Sequence, residues 1–60
     1  MVMDKETVLE KDGGQRVTVK TDERGTVVLD EDDQVIASYG SDRHAEIVQN
    51  YIDGGWVVVR

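Results

Sequence analysis

The sequence predicts a small α+β domain, an antiparallel meander of strands with one helix packed on a face, in the order β-β-β-β-α-β. Three observations lead to this fold class. Short β-prone stretches alternate with turns rich in glycine and aspartate, a later segment shows helical spacing of apolar residues, and a valine-rich stretch follows it. We treat residues 1–60 as one domain, because compact domains are seldom smaller. Whether residues 1–6 are ordered or disordered is left open by the sequence.

The first two strands are predicted at residues 7–10 and 15–20, on either side of an Asp-Gly-Gly turn. In the second stretch, Val17 and Val19 alternate with polar residues, which is typical of a strand with one wet face. The third strand is predicted at residues 26–29, after a turn in which Gly25 can adopt a left-handed backbone.

An acidic turn at residues 30–33 separates the third strand from a fourth, predicted at residues 34–39. Ser41 is then the expected N-cap of a helix that ends at Asp53, before two glycines. The apolar residues of this helix have i, i+3, i+4 spacing, at Ile47, Val48, Tyr51 and Ile52. Residues 56–60 are the predicted last strand.

Apolar residues on both sides of the sheet predict a dimer. One helix covers one face, yet the third, fourth and last strands carry consecutive apolar residues, and neighbours on a strand point to opposite faces. Val28, Ile36 and either Val58 or both Val57 and Val59 are therefore expected to face away from the helix. A two-fold homodimer, sheet against sheet or edge to edge, would cover them. The alternative is a twisted, partly closed sheet that hides them in a monomer.

The predicted interface joins these residues with one aromatic side chain. Trp56 opens the last strand, where it could anchor the helix to the sheet or fill a pocket of the partner, as interface tryptophans often do. The complete predicted set is Val28, Ile36, Val57, Val59 and Trp56.

The charge excludes several classes of partner. Thirteen acidic residues against seven basic ones give a net charge of -6, which disfavours direct nucleic-acid binding and binding to anionic membranes. Many aspartates, few lysines and small apolar side chains resemble proteins of salt-loving organisms, with an ordinary acidic protein as the alternative. No apolar run approaches the ~20 residues of a membrane span, so we expect a cytoplasmic protein.

The residues for catalysis or metal binding are few. Cysteine is absent and His44 is the one histidine; we interpret it as a helix-end residue half covered by the sheet, although Tyr39, Ser41 or Asp42 could assist it as a general base. The acidic turn lacks the calcium-loop pattern, which needs glycine at the position of Val35 and glutamate twelve residues into the loop. We therefore predict no catalytic residue, no metal and no cofactor.

One segment is similar to a known family. Residues 24–29, RGTVVL, resemble the R-G-x-V-x-L strand of AbrB/MazE-type swapped-hairpin DNA-binding domains, and residues 53–60 resemble their final hairpin. That family places proline at the position of Asp30 and a helix where this chain has its acidic turn. With these departures and an acidic surface, the sequence assigns the chain to no family.

The leading functional hypothesis is a non-enzymatic, self-associating module that acts through a protein partner. The first alternative is an acidic decoy or regulator that occupies the cationic nucleic-acid-binding surface of another protein. The second is a small enzyme with a dimer-cleft site around His44.

Overall fold

The computed structural model describes residues 4–60, which form one sheet and one helix. The elements are β1 (Lys5–Lys11), β2 (Gln15–Asp22), β3 (Gly25–Leu29), β4 (Val35–Tyr39), α1 (His44–Asp53) and β5 (Val57–Val58). The strand order in the sheet is β4-β3-β2-β1-β5, with antiparallel neighbours throughout. The predicted α+β class, an antiparallel meander with one helix packed against it, is confirmed.

The core lies between α1 and the central strands. Cross-strand partners share a face, and the register pairs Leu9 with Val17 and Val19 with Val28. These four side chains and Ile47 of α1 form the buried apolar cluster. The alternation predicted for β2 therefore holds, and its valines face the helix.

Val28 lies on the opposite face of the sheet from the one predicted. It was expected on the face away from the helix, but it is 1% exposed and lies in the core beneath α1. The half-buried neighbours Val27 and Leu29 point to the opposite face instead. A run of three apolar residues, 27–29, does not indicate whether the middle residue or its two neighbours face the helix. Val28 faces the helix because it pairs with Val19, which also does.

The start of the helix also differs from the prediction. Arg43 is the N-cap residue and its side chain makes no capping hydrogen bond, so the expectation for Ser41 is wrong. Asp42 supplies the carboxylate instead, because its Oδ1 accepts a hydrogen bond of 3.0 Å from the backbone N–H of His44. A negative charge at this position also suits the helix dipole.

The strands are longer at one end of the sheet than the sequence indicated. β1 begins at Lys5 and β2 runs to Asp22, so Lys5 and Glu6 belong to the sheet; residues 1–3 lie outside the described part of the chain. At the other end, β5 is short, and its pairing with β1 continues through a 2.8 Å hydrogen bond from Val59 N–H to the Val8 carbonyl oxygen.

Candidate interaction surface

The large exposed apolar side chains lie at the two edges of the sheet. Within residues 4–60 they are Val35, Ile36 and Tyr39 on β4, which we name the β4 edge, and Val57, Val58 and Val59 in and after β5, which we name the β5 edge; one further exposed residue, Ile52, lies on α1. β4 and β5 are the outermost strands. Each therefore has backbone N–H and C=O groups that no strand among residues 4–60 pairs on the outer side.

Both edges lack the features that normally prevent pairing with another chain. Natural edge strands often carry lysine or proline. Here a third of the chain is charged (33%), yet β4 reads VIASY and β5 reads VV, and the sequence contains no proline. Two other protective features are present: a register shift between β3 and β4 at Val28/Leu29, and the shortness of β5, which has two residues. Both edges are thus chemically suited to association.

The apolar surface opposite the helix is divided rather than continuous. β1 and β2 lie between the two edges, and they place exposed charged side chains on that surface, namely Glu6, Glu10, Arg16 and Lys20. Strands about 4.8 Å apart separate the outermost strands of a five-stranded sheet by about 19 Å. Ile36 therefore belongs to one patch, while Val57 and Val59 belong to the other.

The β5 edge rests on an aromatic contact between helix and sheet. The Trp56 and Tyr51 rings meet edge to face with centroids 5.3 Å apart. The backbone N–H of Trp56 also donates a hydrogen bond of 3.0 Å to the backbone carbonyl oxygen of Tyr51. Trp56 is partly buried against the core. Of its two predicted roles, the contacts support that of an anchor between helix and sheet.

The charges that border the β5 edge balance one another. Lys11 places its Nζ 5.9 Å from the centroid of the Trp56 ring. Glu10 pairs with Val57 across the β1–β5 ladder. Lys11 and Glu10 therefore place one cation and one anion beside the apolar side chains. Arg60, which follows the strand, lines a cleft with the acidic turn instead.

The β4 edge begins at the acidic turn of residues 30–33. Asp30 Oδ1 accepts hydrogen bonds from the backbone N–H groups of Asp32 (2.8 Å) and Gln34 (3.0 Å). Asp33 adopts a left-handed backbone with φ of 63°, a conformation that aspartate tolerates. Within residues 4–60, the ion pairs are Lys5–Asp42, Lys20–Glu6 and Arg43–Glu46. The acids of the turn line a cleft together with Arg16, Lys20 and Arg60, so basic groups lie close to this turn.

His44 lies inside a hydrogen-bonded group of threonines at the helix start. Its Nε2 is 2.8 Å from the Thr7 Oγ1 and its Nδ1 is 2.9 Å from the Thr21 Oγ1. The Thr21 hydroxyl is 2.8 Å from that of Thr26, whose Oγ1 accepts the Arg43 backbone N–H at 3.0 Å. The group links α1 to β1, β2 and β3.

These contacts support a structural role for His44, as the sequence indicated, but with more burial. The side chain is 8% exposed and both ring nitrogens are engaged. Burial lowers the pKa of His44 below its ordinary value of 6.5; the Lys5 charge lowers the pKa further, and Asp42 opposes this. The Asp42 carboxylate binds Lys5 and a backbone N–H rather than the imidazole, so the elements of a general base are not assembled.

The described residues contain neither a cluster of metal-binding side chains nor a membrane-spanning helix. In residues 4–60, no group of three or more histidine, cysteine, aspartate or glutamate side chains is arranged to hold a metal ion. The one helix of this part of the chain, α1, is too short and too polar to cross a membrane.

Comparison with known proteins adds no assignment. No family model, no curated protein and no solved structure matches this chain. Its function is therefore argued from its own residues.

Proposed function

We propose that the protein is a non-enzymatic interaction module that self-associates through the β5 edge. The observation that carries the proposal is the group of exposed apolar side chains on a strand without charge, with Val57 63% exposed. Burying one valine side chain stabilises an assembly by about 1.5–3 kcal/mol. A second copy is a suitable partner because a two-fold contact brings together identical, self-complementary patches.

The local charge balance supports a second copy at this edge. Each chain carries a net charge of -6, so two copies repel each other over most of their surfaces. Beside the β5 edge, Lys11 offsets Glu10. Antiparallel pairing of two β5 strands would join the two sheets.

The test is a matched pair of edge variants studied by sedimentation. Val57→Lys adds a charge to the β5 edge, and Ile36→Lys makes the same change at the β4 edge, where the isoleucine is 53% exposed. Val57→Lys is expected to raise the dimer dissociation constant at least about tenfold, because one buried valine is lost from each copy. Ile36→Lys should leave the constant within about threefold, since opposite edges contribute independently.

Two results would contradict the proposal. The first is a wild-type chain that sediments as a monomer at every concentration. The second is a dimer that Val57→Lys leaves intact.

The acidic decoy is the second candidate, and the net charge of -6, with four consecutive acidic residues at 30–33, favours it. A decoy binds mainly through charge and should release its cationic target as salt screens the attraction. An apolar contact should persist or tighten in high salt. A pull-down with a cationic nucleic-acid-binding domain at moderate and molar salt separates the two.

A further inference from the structure

We infer that a pH-sensitive latch holds the start of α1 to the sheet: His44 stays neutral with its proton on Nε2, and uptake of a second proton releases the first turn of the helix while the sheet stays folded. The latch is the set of hydrogen bonds among His44, Thr7, Thr21, Thr26 and the backbone N–H of Arg43. This inference goes beyond self-association, because it concerns the helix start and needs no second copy.

The first argument is the direction of these hydrogen bonds, which follows from one fixed donor. The backbone N–H of Arg43 donates to the Thr26 Oγ1 at 3.0 Å. The other hydrogen bond of the Thr26 hydroxyl joins it to the Thr21 hydroxyl at 2.8 Å, and Thr26 is fully buried. Thr26 therefore donates its hydrogen to Thr21. The Thr21 hydroxyl in turn donates to Nδ1 of His44 at 2.9 Å.

The position of the proton on the ring follows from this direction. A neutral imidazole has one nitrogen that accepts and one that donates. Because Nδ1 accepts from Thr21, the hydrogen lies on Nε2, which donates to the Thr7 Oγ1 at 2.8 Å. Thr7 is half-buried, so its own hydroxyl hydrogen can reach water. Each donor of the latch then has one acceptor.

The second argument is the effect of one more proton on this arrangement. A proton on Nδ1 adds a donor and removes the nitrogen that accepts from Thr21. Thr21 would then accept from the ring, and either its own hydroxyl or that of Thr26 would lose its acceptor within the latch. Both threonines are buried, at 4% and 0% exposed. An unsatisfied buried donor is costly, so a protonated ring disfavours the closed latch.

The third argument is the set of charges around the ring. His44 is the first residue of α1, where a positive charge opposes the helix dipole. Lys5 of β1 disfavours a second cation and Asp42 favours it, and these two side chains pair at 2.7 Å. On α1 itself, Arg43 and Glu46 form an exposed pair. The contributions of β2 and β3 to the latch are hydroxyl groups, so no strong field from the sheet offsets the cost of protonation.

The fourth argument is that different contacts hold the two ends of α1. The first turn, residues 43–46, is attached by the latch and by the exposed pair of Lys5 with Asp42. From Ile47 onward the helix packs on the apolar core, and Tyr51 also contacts Trp56. A segment with few buried apolar contacts opens at a lower free energy than the whole fold. Release of the latch therefore frees the first turn and leaves the remaining contacts in place.

The position of the ring proton is tested by nitrogen NMR spectroscopy of the imidazole in the full chain, at about pH 7.5. We expect a protonated Nε2 and an unprotonated Nδ1, with one set of signals. A proton on Nδ1, or a mixture of the two neutral forms, would overturn the inference, because the direction of the hydrogen bonds would then be different.

Amide hydrogen exchange tests the release of the first turn. The Ile47 N–H donates to the Arg43 carbonyl oxygen at 2.9 Å and reports on this turn, whereas the amides of β2 report on the sheet. Each exchange rate is divided by the intrinsic rate at the same pH, which gives an opening constant. The constant of Ile47 should exceed those of β2 at least about tenfold and stay unchanged in low urea. It should rise at least about threefold between about pH 7.5 and 5.5.

Two variants identify the group that takes up the proton. In His44→Gln, the opening constant of Ile47 should no longer depend on pH over this interval. Asp42→Asn removes the neighbouring carboxylate but keeps an oxygen for the His44 N–H, so its pH response should persist.

Three further results would overturn the inference. They are a pH response that survives in His44→Gln, a response that disappears in Asp42→Asn, and opening constants of Ile47 and β2 that are equal and share one urea dependence. The last result would mean that the helix start opens when the whole fold does. A chain that is always monomeric would contradict self-association and leave these measurements unaffected.

Discussion

At the scale of single residues, the contacts of His44 determine where the helix meets the sheet. Thr7, Thr21 and Thr26 come from three different strands, and their hydroxyl groups form hydrogen bonds with the imidazole or with one another. Every fully buried side-chain nitrogen and oxygen of the described residues has a hydrogen-bond partner. Such a network favours one position of α1, because another position would leave buried polar atoms unpaired.

Removing the central hydroxyl of the network tests this role. Thr21→Val should destabilise the fold by about 1–3 kcal/mol, because His44 Nδ1 and the Thr26 hydroxyl both lose a partner. Thr18→Val is the matched control on the same strand, at a half-buried position facing away from the helix. Urea unfolding measures both; an equal effect of the two changes would show that the network contributes nothing specific.

The lowered pKa of His44 predicts a pH dependence of stability. Because His44 binds a proton more readily in the unfolded chain than in the folded chain, a fall in pH favours unfolding. The contribution of His44 to folding stability is therefore complete above pH 6.5 and declines as the pH falls below 6.5. The pKa of Asp42 is also lowered, by its hydrogen bond from Lys5 and then by that from the His44 backbone, so its contribution is lost only below pH 3.8.

The measurement is the free energy of unfolding at about pH 7.5 and 5.5, for the wild type and His44→Gln. The wild type should lose stability over this interval and the variant should not. An identical pH dependence of the two proteins would show that His44 is not the responsible group.

At the scale of the elements, Gly25 holds the end of β4 close to the turn between β2 and β3. Its φ is +136°, and an added Cβ would overlap the Tyr39 carbonyl oxygen and lie 3.0 Å from Ser41 N. The conformational freedom of glycine alone predicts that Gly25 lies in a turn. The close approach of Tyr39 was not predictable, because it depends on how β4 pairs with β3.

Alanine substitutions measure this constraint. Gly25→Ala should destabilise the fold by about 1–3 kcal/mol, since both backbone strain and overlap with backbone atoms oppose it. Gly40→Ala is the control, because a Cβ there meets no atom within 4 Å. Thermal unfolding of the two variants compares them, and a harmless Gly25→Ala would mean that β4 is free to move away from the turn.

The elements that the sequence predicted well are those marked by local signals. Turn residues and helical spacing located all five strands and the helix to within two residues at each end. These signals gave the wrong sheet face for Val28 and the wrong N-cap at Ser41. Both features depend on contacts with residues distant in sequence. Val28 faces the core because it pairs with Val19, and the helix starts after Asp42 because the Thr26 hydroxyl accepts the Arg43 N–H.

At the scale of the whole molecule, the apolar residues predicted to face away from the helix are divided between the two edges of the sheet, apart from Val28 in the core. Consecutive apolar residues correctly indicated that apolar side chains reach the face away from the helix. The strand order was needed to show that β1 and β2, with their charged side chains, lie between β4 and β5. Ile36 and Val57 therefore belong to two separate surfaces, one at each edge of the sheet.

Salt acts on the whole molecule through its net charge of -6. Two copies repel each other at low ionic strength. Added salt screens this repulsion, because the Debye length shortens to about 3 Å at 1 M. The apolar contact is not weakened by screening. Self-association is therefore expected to strengthen as salt is added, whereas a charge-driven decoy would bind its target more weakly.

The most direct test is sedimentation equilibrium of the unmodified chain as salt is raised from about 0.1 to 1 M. The account predicts a reversible change from the mass of one chain, 6.7 kDa, towards twice that mass, with a dissociation constant that falls as salt rises. A mass of one chain at every concentration and every salt level would contradict it.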